Sequence, residues 1–276
     1  MKKFGILIGI VLVCLCFSSF LVNADIETKK ISLNGSTSME KMINALKEGM
    51  DDQYPELLIE PQFTGSSAGI EAVFSGTAQI GNSSRYLKDT EKEKGLIENI
   101  VAIDAIVIVT DKHNQVNNLT TQQLIDIYKG KIRNWKEVGG QDLPIVVIGR
   151  ESGSGTRSAF EEILELEEQC QYANEVNESG PIIAKAQSIP GAIGYVSLDV
   201  VDESVKTLAI NGVKANETTI QNGQYSLQRP FVMATQGEIS KQNEEVQKLF
   251  QFIASEDGQK IIRAVGLVPT TNEMSY

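Results

Sequence analysis

Three short turns rich in glycine, serine and threonine each follow a strand-like segment and lead directly into an amphipathic helix pattern. They lie at residues 35–38, 65–69 and 149–157. The first turn of a helix leaves backbone N–H groups without partners at the positive end of the helix dipole, and glycine lets a ligand approach the main chain. One such turn is ordinary helix capping. Three of them, one flanked by arginines, predict a site for an anion.

The alternation of strand and helix patterns continues through the chain. Predicted strands cover residues 30–33, 58–63, 78–81, 100–110, 145–149 and 194–196. Predicted helices begin near residues 39, 66, 120, 155, 182, 246 and 259, where apolar residues recur at helical spacing. The strand at 100–110 is rich in Ile and Val without polar alternation, which predicts burial on both faces of a mainly parallel sheet. The pattern therefore predicts an α/β fold.

Two of the helices carry more specific local signals. Thr120 and Gln123 have the spacing of a capping box at the start of the helix near residue 120. In the helix after the third turn, Phe160, Ile163 and Leu164 mark the face that is predicted to point inward.

Four single residues stand out against these patterns. Asp104 lies within an apolar strand, and a buried carboxylate needs a partner, so we expect it to pair with an arginine or to lie where two lobes meet. Trp135 is expected to pack in the core, and His113 is expected to face solvent. Arg157 lies inside the helix after the third turn, where it could shield a ligand, hold a carboxylate or face water.

Length and charge limit the classes of protein that this chain can belong to. It has 276 residues, of which 41% are hydrophobic, enough for two domains or one large one. No linker-like segment is present, which favours two lobes joined by crossing strands. The net charge of −11 becomes −13 once residues 1–24, with two lysines and no acid, are removed. Nucleic acid is therefore not expected as a partner, and an anion must be held by donors at contact range.

The N-terminus has the pattern of an export signal. Two lysines precede a long apolar stretch and a small-residue cleavage pattern, which predicts a signal peptide at residues 1–24. An uncleaved membrane anchor is one alternative, because the stretch is long enough to span a bilayer. A lipid anchor on Cys14 or Cys16 is another, although Val13 and Leu15 stand where lipoproteins have a small residue. We expect the protein in the periplasm or on the outer face of the cell membrane.

The sequence offers little material for catalysis. After removal of the signal it contains one histidine, His113, and one cysteine, Cys170, which leaves no zinc site, no triad and no internal disulfide. Ser152 and Ser154 lie on a strand-to-helix turn, but neither has the glycine two residues earlier that a hydrolase nucleophile requires. A nucleotide-phosphate loop is also missing. We expect no enzyme, no metal and no cofactor.

The motifs together resemble the phosphate-binding proteins of bacterial phosphate ABC transporters. The resemblance rests on the turns, on Lys-Gly-Lys-Ile-Arg-Asn-Trp at 129–135, on the Arg-x-x-Gly-Ser-Gly-Thr pattern at 150–156 and on Gly-Ala-Ile-Gly-Tyr at 191–195. It implies a two-lobed periplasmic-binding-protein type II fold with the ligand in the cleft. The first lobe would hold residues 25–110 and 209–276, and the second would hold residues 111–208. The implied partners are inorganic phosphate and a membrane permease, and the chain is expected to be a monomer.

The resemblance also implies the residues that contact phosphate. The family's contacts fall on Thr37, Ser66, Arg150 and the Ser154-Gly155-Thr156 segment. Neighbouring donors complete the predicted site, which comprises Ser36, Thr37, Ser38, Ser66, Ser84, Arg85, Arg150, Gly153, Ser154, Gly155 and Thr156.

Two departures from the family pattern affect the choice of ligand. Well-known members have aspartates at the positions of Ser84 and Ser152, and the first of these accepts the proton of hydrogen phosphate and so excludes sulfate. A serine can accept or donate, so this charge filter is absent here. We expect Arg85 to supply a bidentate donor to the ligand instead. Phosphate is the favoured ligand; sulfate, molybdate, tungstate, and a phosphate-sensing or adhesion role without transport, are the alternatives.

Overall fold

The computed structural model describes residues 29–270 as an α/β protein. The predicted signal peptide, with its alternatives of a membrane or lipid anchor, lies outside the described residues. Within residues 29–270, no helix combines the length and the apolar character needed to cross a bilayer.

Strands and helices alternate along the described chain. The strands are β1 (Lys29–Gly35), β2 (Leu57–Phe63), β3 (Ile80–Ser83), β4 (Leu96–Ile97), β5 (Ile100–Thr110), β6 (Asn118–Leu119), β7 (Val146–Arg150), β8 (Asn174–Val176), β9 (Ala192–Ser197), β10 (Lys206–Ile210), β11 (Gln228–Gln236) and β12 (Val268–Pro269). The α-helices are α1 (Glu40–Asp51), α2 (Ser66–Phe74), α3 (Asp89–Lys92), α4 (Thr121–Tyr128), α5 (Gly155–Ile163), α6 (Ser179–Ser188), α7 (Glu217–Gln221), α8 (Glu244–Ala254) and α9 (Glu256–Ala264). Short 3-10 helices cover Thr37–Met39, Trp135–Val138, Leu198–Val200 and Ile239–Lys241.

The main path of strands runs in the order β2-β1-β3-β11-β5-β9-β7-β8. Parallel pairs lie towards its two ends, where β1 pairs with β2 and β3, and β7 pairs with β8 and β9. In the middle, β11 and β5 run antiparallel to each other and to their outer neighbours. The sheet thus consists of two parallel groups joined by two antiparallel strands.

The strand β5 has the predicted bounds, but its pairing corrects the prediction. It runs antiparallel to β9, β10, β11 and β12 and is not part of a parallel group. Its apolar run without alternation has a different cause. The strand passes from one hydrophobic core into the other, so both of its faces are covered along nearly the whole length.

Two large cores on either side of the crossing strands define the lobes. Val101 and Phe231 pack in the first core, whereas Ile106 packs in the second. Ile220 and Leu227, which were assigned to the returning part of the first lobe, also pack in the second core. We therefore propose lobe boundaries within β5 and at the start of β11, rather than at residues 110 and 208.

Most of the local predictions are confirmed. The helices α1, α4, α6, α8 and α9 form where the apolar spacing predicted them. The capping box is present: Gln123 N–H donates to Thr120 Oγ1 at 3.1 Å, and Thr120 N–H donates to Gln123 Oε1 at 2.9 Å. The prediction of the inward face of α5 is wrong at one position. Ile163 is 36% exposed, whereas Phe160 and Leu164 are buried. The helix ends at Ile163, and the turn that follows brings Leu164 into the core instead.

Candidate anion-binding site

The first lobe contributes three buried serines that meet where β1 and β3 end. The strand β1 ends at Gly35, where φ is +144° and a Cβ would lie 2.0 Å from Asn82 O, so only glycine fits. Ser36 follows and donates from Oγ to Ser84 Oγ at 2.8 Å. Ser66, at the start of α2, accepts the backbone N–H of Ser84 on its Oγ at 3.1 Å. The first two predicted turns therefore share one polar centre.

The second lobe meets this centre with the start of α5. Ser154 caps the helix, because its Oγ accepts a backbone N–H from the first turn. Thr156 Oγ1 hydrogen-bonds across the cleft to Ser38 Oγ at 2.8 Å. Ser67 N–H donates to Gly153 O at 3.2 Å, which joins the second and third turns. The structure thus shows the lobes in contact around the polar centre.

Gly155 lies at a point where the two lobes are too close for a side chain. A Cβ at this position would lie 2.2 Å from Ser66 Oγ and 2.8 Å from Ser84 Oγ, so any side chain would collide with both. Gly155 is the first residue of α5, where backbone N–H groups have no partner within the helix. The positive end of this helix therefore faces hydroxyl groups of the opposite lobe at contact distance.

Arg150 lies at the end of β7 and is almost completely buried, with 1% of its surface exposed. Its Nη2 donates to Thr37 Oγ1 of the other lobe at 3.0 Å and to Asn177 O at 2.7 Å. Its Nη1 donates to Ser179 Oγ at 3.3 Å. None of the carboxylates among residues 29–270 forms an ion pair with Arg150, and its Nε has no hydrogen-bond partner there.

This lack of a counter-charge is visible in the electrostatics of the site. Burial lowers the pKa of Arg150 to about 10, and the nearby charge of Arg229 acts in the same direction; Tyr195 and the charges of Glu151 and Glu178 act against this shift without cancelling it. At neutral pH the guanidinium still carries its proton, so the centre holds one buried positive charge surrounded by neutral hydroxyls. Buried charges in proteins are normally paired, and an anion between the lobes would supply the missing partner.

Ser179 is a member of this centre that sequence reasoning did not select. It is buried at the first position of α6, accepts a hydrogen bond from Arg150, and has its Oγ 3.5 Å from Ser38 Oγ. The only signal for it was its place three residues before the helix that the sequence predicts from residue 182. That position alone gave no indication that the helix points at the cleft.

Comparison with known proteins places this architecture in a family. The PBP superfamily domain matches residues 23–257. The phosphate-binding protein PstS of Bacillus subtilis is 30% identical over 247 residues, which cover 88% of this chain and 81% of the relative. The PstS of Borreliella burgdorferi is 29% identical over 280 residues, covering 97% and 99% of the two chains. The chain belongs to the PstS family of phosphate-binding proteins. A solved substrate-binding protein of a phosphate ABC transporter from Clostridium perfringens, with bound phosphate, is 40% identical and superimposes with a TM-score of 0.84 over 88% of this chain and 100% of that one.

In the present chain, Arg85 does not have the position expected of a residue that binds the ligand bidentately. Its Nη1 and Nη2 donate to the two carboxylate oxygens of Glu91 at 2.9 and 2.8 Å, and Nη1 also donates to Tyr86 O. The fork geometry of the guanidinium is thus already used by a carboxylate of its own lobe. Only Nε has no partner within the described chain.

The two family aspartates that are absent from this chain leave different surroundings. Ser84 lies within the polar centre, where no carboxylate from residues 29–270 hydrogen-bonds to it or to the neighbouring Ser36 and Ser66. Ser152 is exposed on the turn before α5. Among the described residues, the polar centre therefore presents hydroxyls, the backbone N–H groups at the start of α5 and the guanidinium of Arg150.

The remaining singled-out residues take structural roles. Asp104 pairs with Arg229 at 2.9 Å, with both side chains buried, which confirms that this carboxylate has an arginine partner where the lobes meet. Arg157 holds Glu161 at 2.8 Å and Glu175 at 3.2 Å, so its charge is taken up by carboxylates. Trp135 is buried and His113 is exposed, as predicted.

Proposed function

We propose that this chain captures inorganic phosphate between its lobes and delivers it to the permease of an ABC transporter. One observation carries the proposal above the others: Arg150 is buried and has no carboxylate partner among the described residues, at the point where three helix-leading turns meet. The family relationship supports phosphate as the anion, because the relatives are named for it.

The hydroxyls that now pair with one another are the proposed ligand donors. Ser36 pairs with Ser84, and Ser38 pairs with Thr156. A hydroxyl rotates about its C–O bond, so each can turn its proton towards an entering oxyanion without movement of the main chain. Arg150 adds charge-assisted hydrogen bonds, which are about twice as strong as neutral ones. Ser66, Ser154, Gly153 and Gly155 would contribute further donors from the two helix starts.

Phosphate between the lobes would act as the bridge that favours the closed state, since each lobe supplies part of its coordination. Closure would present a surface made from both lobes to the permease, and the ATPase of the transporter would supply the energy. In this role the chain changes the location of its ligand and catalyses no reaction.

A second oxyanion remains a candidate because of one specific feature. With Ser84 in place of the family aspartate, no acceptor-only group is present to test whether the ligand carries a proton. Sulfate has the same shape as phosphate and carries no proton at neutral pH. The same clamp could therefore bind sulfate, molybdate or tungstate.

Calorimetric titration of ligand-stripped protein at neutral pH tests the proposal. We expect heat from phosphate binding in the parent and, after Arg150→Met, a loss of at least about 100-fold in affinity, since charge-assisted hydrogen bonds contribute about 1.5–3 kcal/mol each. Arg263→Met is the matched control, because Arg263 is exposed on α9. Unchanged affinity of the Arg150 variant, or binding of sulfate alone, would contradict the assignment.

A further inference from the structure

A second group of buried polar side chains lies where the lobes meet and has no part in the proposed ligand contacts. It is a continuous chain of contacts from Asp199 through Ser197, Asp104 and Arg229 to the backbone of Ser84. Asp199 is 3% exposed, Asp104 is 0% exposed and Arg229 is 2% exposed. The last contact, from Arg229 Nη1 to Ser84 O at 3.2 Å, connects this group to the polar centre.

The hydroxyl of Ser197 has too few protons for its two contacts. Its Oγ lies 2.8 Å from Asp104 Oδ1 and 2.5 Å from Asp199 Oδ1. A serine hydroxyl donates one hydrogen bond, so two ionised carboxylates would leave one of these close contacts between oxygen atoms without a proton. This geometry fits a state in which one of the two carboxyl groups is protonated.

The surroundings assign this proton to Asp199. Arg229 donates from Nε to Asp104 Oδ2 at 2.9 Å and its Nη2 lies 2.9 Å from the same oxygen, so Asp104 is kept ionised by a positive charge. Within residues 29–270, the carboxyl group of Asp199 forms no ion pair, and its Oδ2 accepts no hydrogen bond. As a neutral acid, Asp199 donates to Ser197, which in turn donates to Asp104.

Burial is the main cause that raises the pKa of Asp199 to about 7, and the negative charge of Asp104 adds to it. The charges of Arg229 and of Lys41 act in the opposite direction without cancelling these effects. Burial likewise raises the pKa of Asp104, but here the charge of Arg229 is the first of the effects that oppose it, which favours Asp199 as the group that carries the proton.

Asp199 lies in the second lobe at a point where the first lobe contacts it. Asp199 follows β9 in the second lobe, and Lys41 on α1 of the first lobe donates from Nζ to Asp199 O at 2.6 Å. Separation of the lobes would remove this cover and admit water, and a carboxyl group in water returns towards its ordinary pKa near 3.9.

We propose that Asp199 takes up a proton when the lobes close on phosphate, and thereby completes the hydrogen-bonded chain that holds the Ser84 loop. The inference rests on the proposed function. An ionised Asp199 would add a buried negative charge near the ligand, whereas the neutral acid leaves the charge of Arg150 available to the anion. Ligand binding is therefore linked to a proton that the ligand itself does not carry.

The direction in which pH changes phosphate affinity follows from the protonation of Asp199 in the open and closed states. Between pH 4 and pH 7, roughly, Asp199 is ionised in the open state and protonated in the closed state, so closure takes up one proton. In this window the contribution of Asp199 to affinity falls by up to about tenfold for each unit of rising pH. Above about pH 7 both states are ionised and the contribution is constant.

Calorimetry with phosphate at pH 5.5, in two buffers of different ionisation enthalpy, measures the protons taken up. We expect the parent to take up about one proton more than Asp199→Asn, because the amide imitates the neutral acid at every pH. The variant should also bind phosphate more tightly than the parent at pH 7. Asp202→Asn is the matched control, since Asp202 is exposed three residues away and should behave as the parent.

The possible outcomes separate the two proposals. Phosphate binding with equal proton uptake in the parent and in Asp199→Asn would overturn the role of Asp199 and leave the proposed function intact. No phosphate binding in the parent or in the Asp202 control would overturn both. Ser197→Ala provides a second test, because loss of the bridging hydroxyl should reduce the proton uptake even if the Asp199 variant is unstable.

Discussion

Two arginines, Arg150 and Arg229, lie close together at the cleft and are equally buried, yet their partners differ. Arg229 is held by the carboxylate of Asp104 on the neighbouring strand, directly opposite in register. Arg150 donates hydrogen bonds only to hydroxyl and carbonyl oxygens among the described residues, and no carboxylate there forms an ion pair with it. Within the part of the chain that the structure describes, one buried guanidinium is therefore paired with a carboxylate and the other is not.

The difference separates an arginine that supports the fold from one that awaits a ligand. Burial of a charge is costly, and a protein recovers that cost through an internal partner or through a bound ion. For Arg229, the ion pair with Asp104 offsets the cost of burial when the chain folds. For Arg150, a bound anion would offset the cost of burial, so the closed state would depend on the ligand.

The largest expected effect comes from removing the paired arginine. Arg229→Met should lower the free energy of unfolding by about 3–5 kcal/mol, because it leaves Asp104 buried without a positive partner. Chemical denaturation of the parent and the variant measures this change. A double variant with Asp104→Asn should recover much of the loss, and no recovery would contradict the ion-pair explanation.

The same substitution at the unpaired arginine should mainly lower phosphate affinity and have little effect on stability. Arg150→Met should reduce phosphate affinity by at least about 100-fold but change the free energy of unfolding by no more than about 1 kcal/mol, since no carboxylate loses a partner. Denaturation without phosphate and titration with phosphate test the two halves separately. A large loss of stability without ligand would show that Arg150 also supports the fold.

The sequence predicted those parts of the site that depend on local pattern. The turns around Ser36, Ser66 and Thr156 were predicted because glycine, serine and helical spacing follow one another within a few residues. The capping box at Thr120 was predicted for the same reason. None of these features required knowledge of which segments meet in three dimensions.

Features that depend on contacts between distant segments were missed or misjudged. The strand β11 was not predicted, because Arg229 and Pro230 interrupt its apolar run, and the charge becomes compatible with burial only through Asp104 on β5. Arg85 was assigned to the ligand, whereas a competing carboxylate six residues away, Glu91, holds it. Ser179 was overlooked because the direction of α6 is set by packing rather than by its own sequence.

A smaller effect should follow from filling the contact between the lobes. Gly155→Ala places a methyl group against Ser66 Oγ and should weaken phosphate binding by about 1–3 kcal/mol, because overpacking keeps the lobes apart. Gly180→Ala on α6 is the matched control, since no atom outside its chain neighbours and its own helix backbone lies within 4 Å of its added Cβ. Equal affinity of the two variants, measured by titration, would contradict the closed geometry.

The smallest expected change concerns the choice between anions. Ser84→Asp would place an acceptor-only carboxylate in the polar centre, where hydrogen phosphate can donate its proton and sulfate cannot. We expect the ratio of phosphate to sulfate affinity to rise by about tenfold or more, which corresponds to about 1.4 kcal/mol. Ser240→Asp adds the same charge at an exposed position and should leave the ratio unchanged. If Ser84→Asp also leaves the affinity ratio unchanged, this position does not distinguish phosphate from sulfate. The uncompensated charge of Arg150 would then attract either anion, whether or not the anion carries a proton.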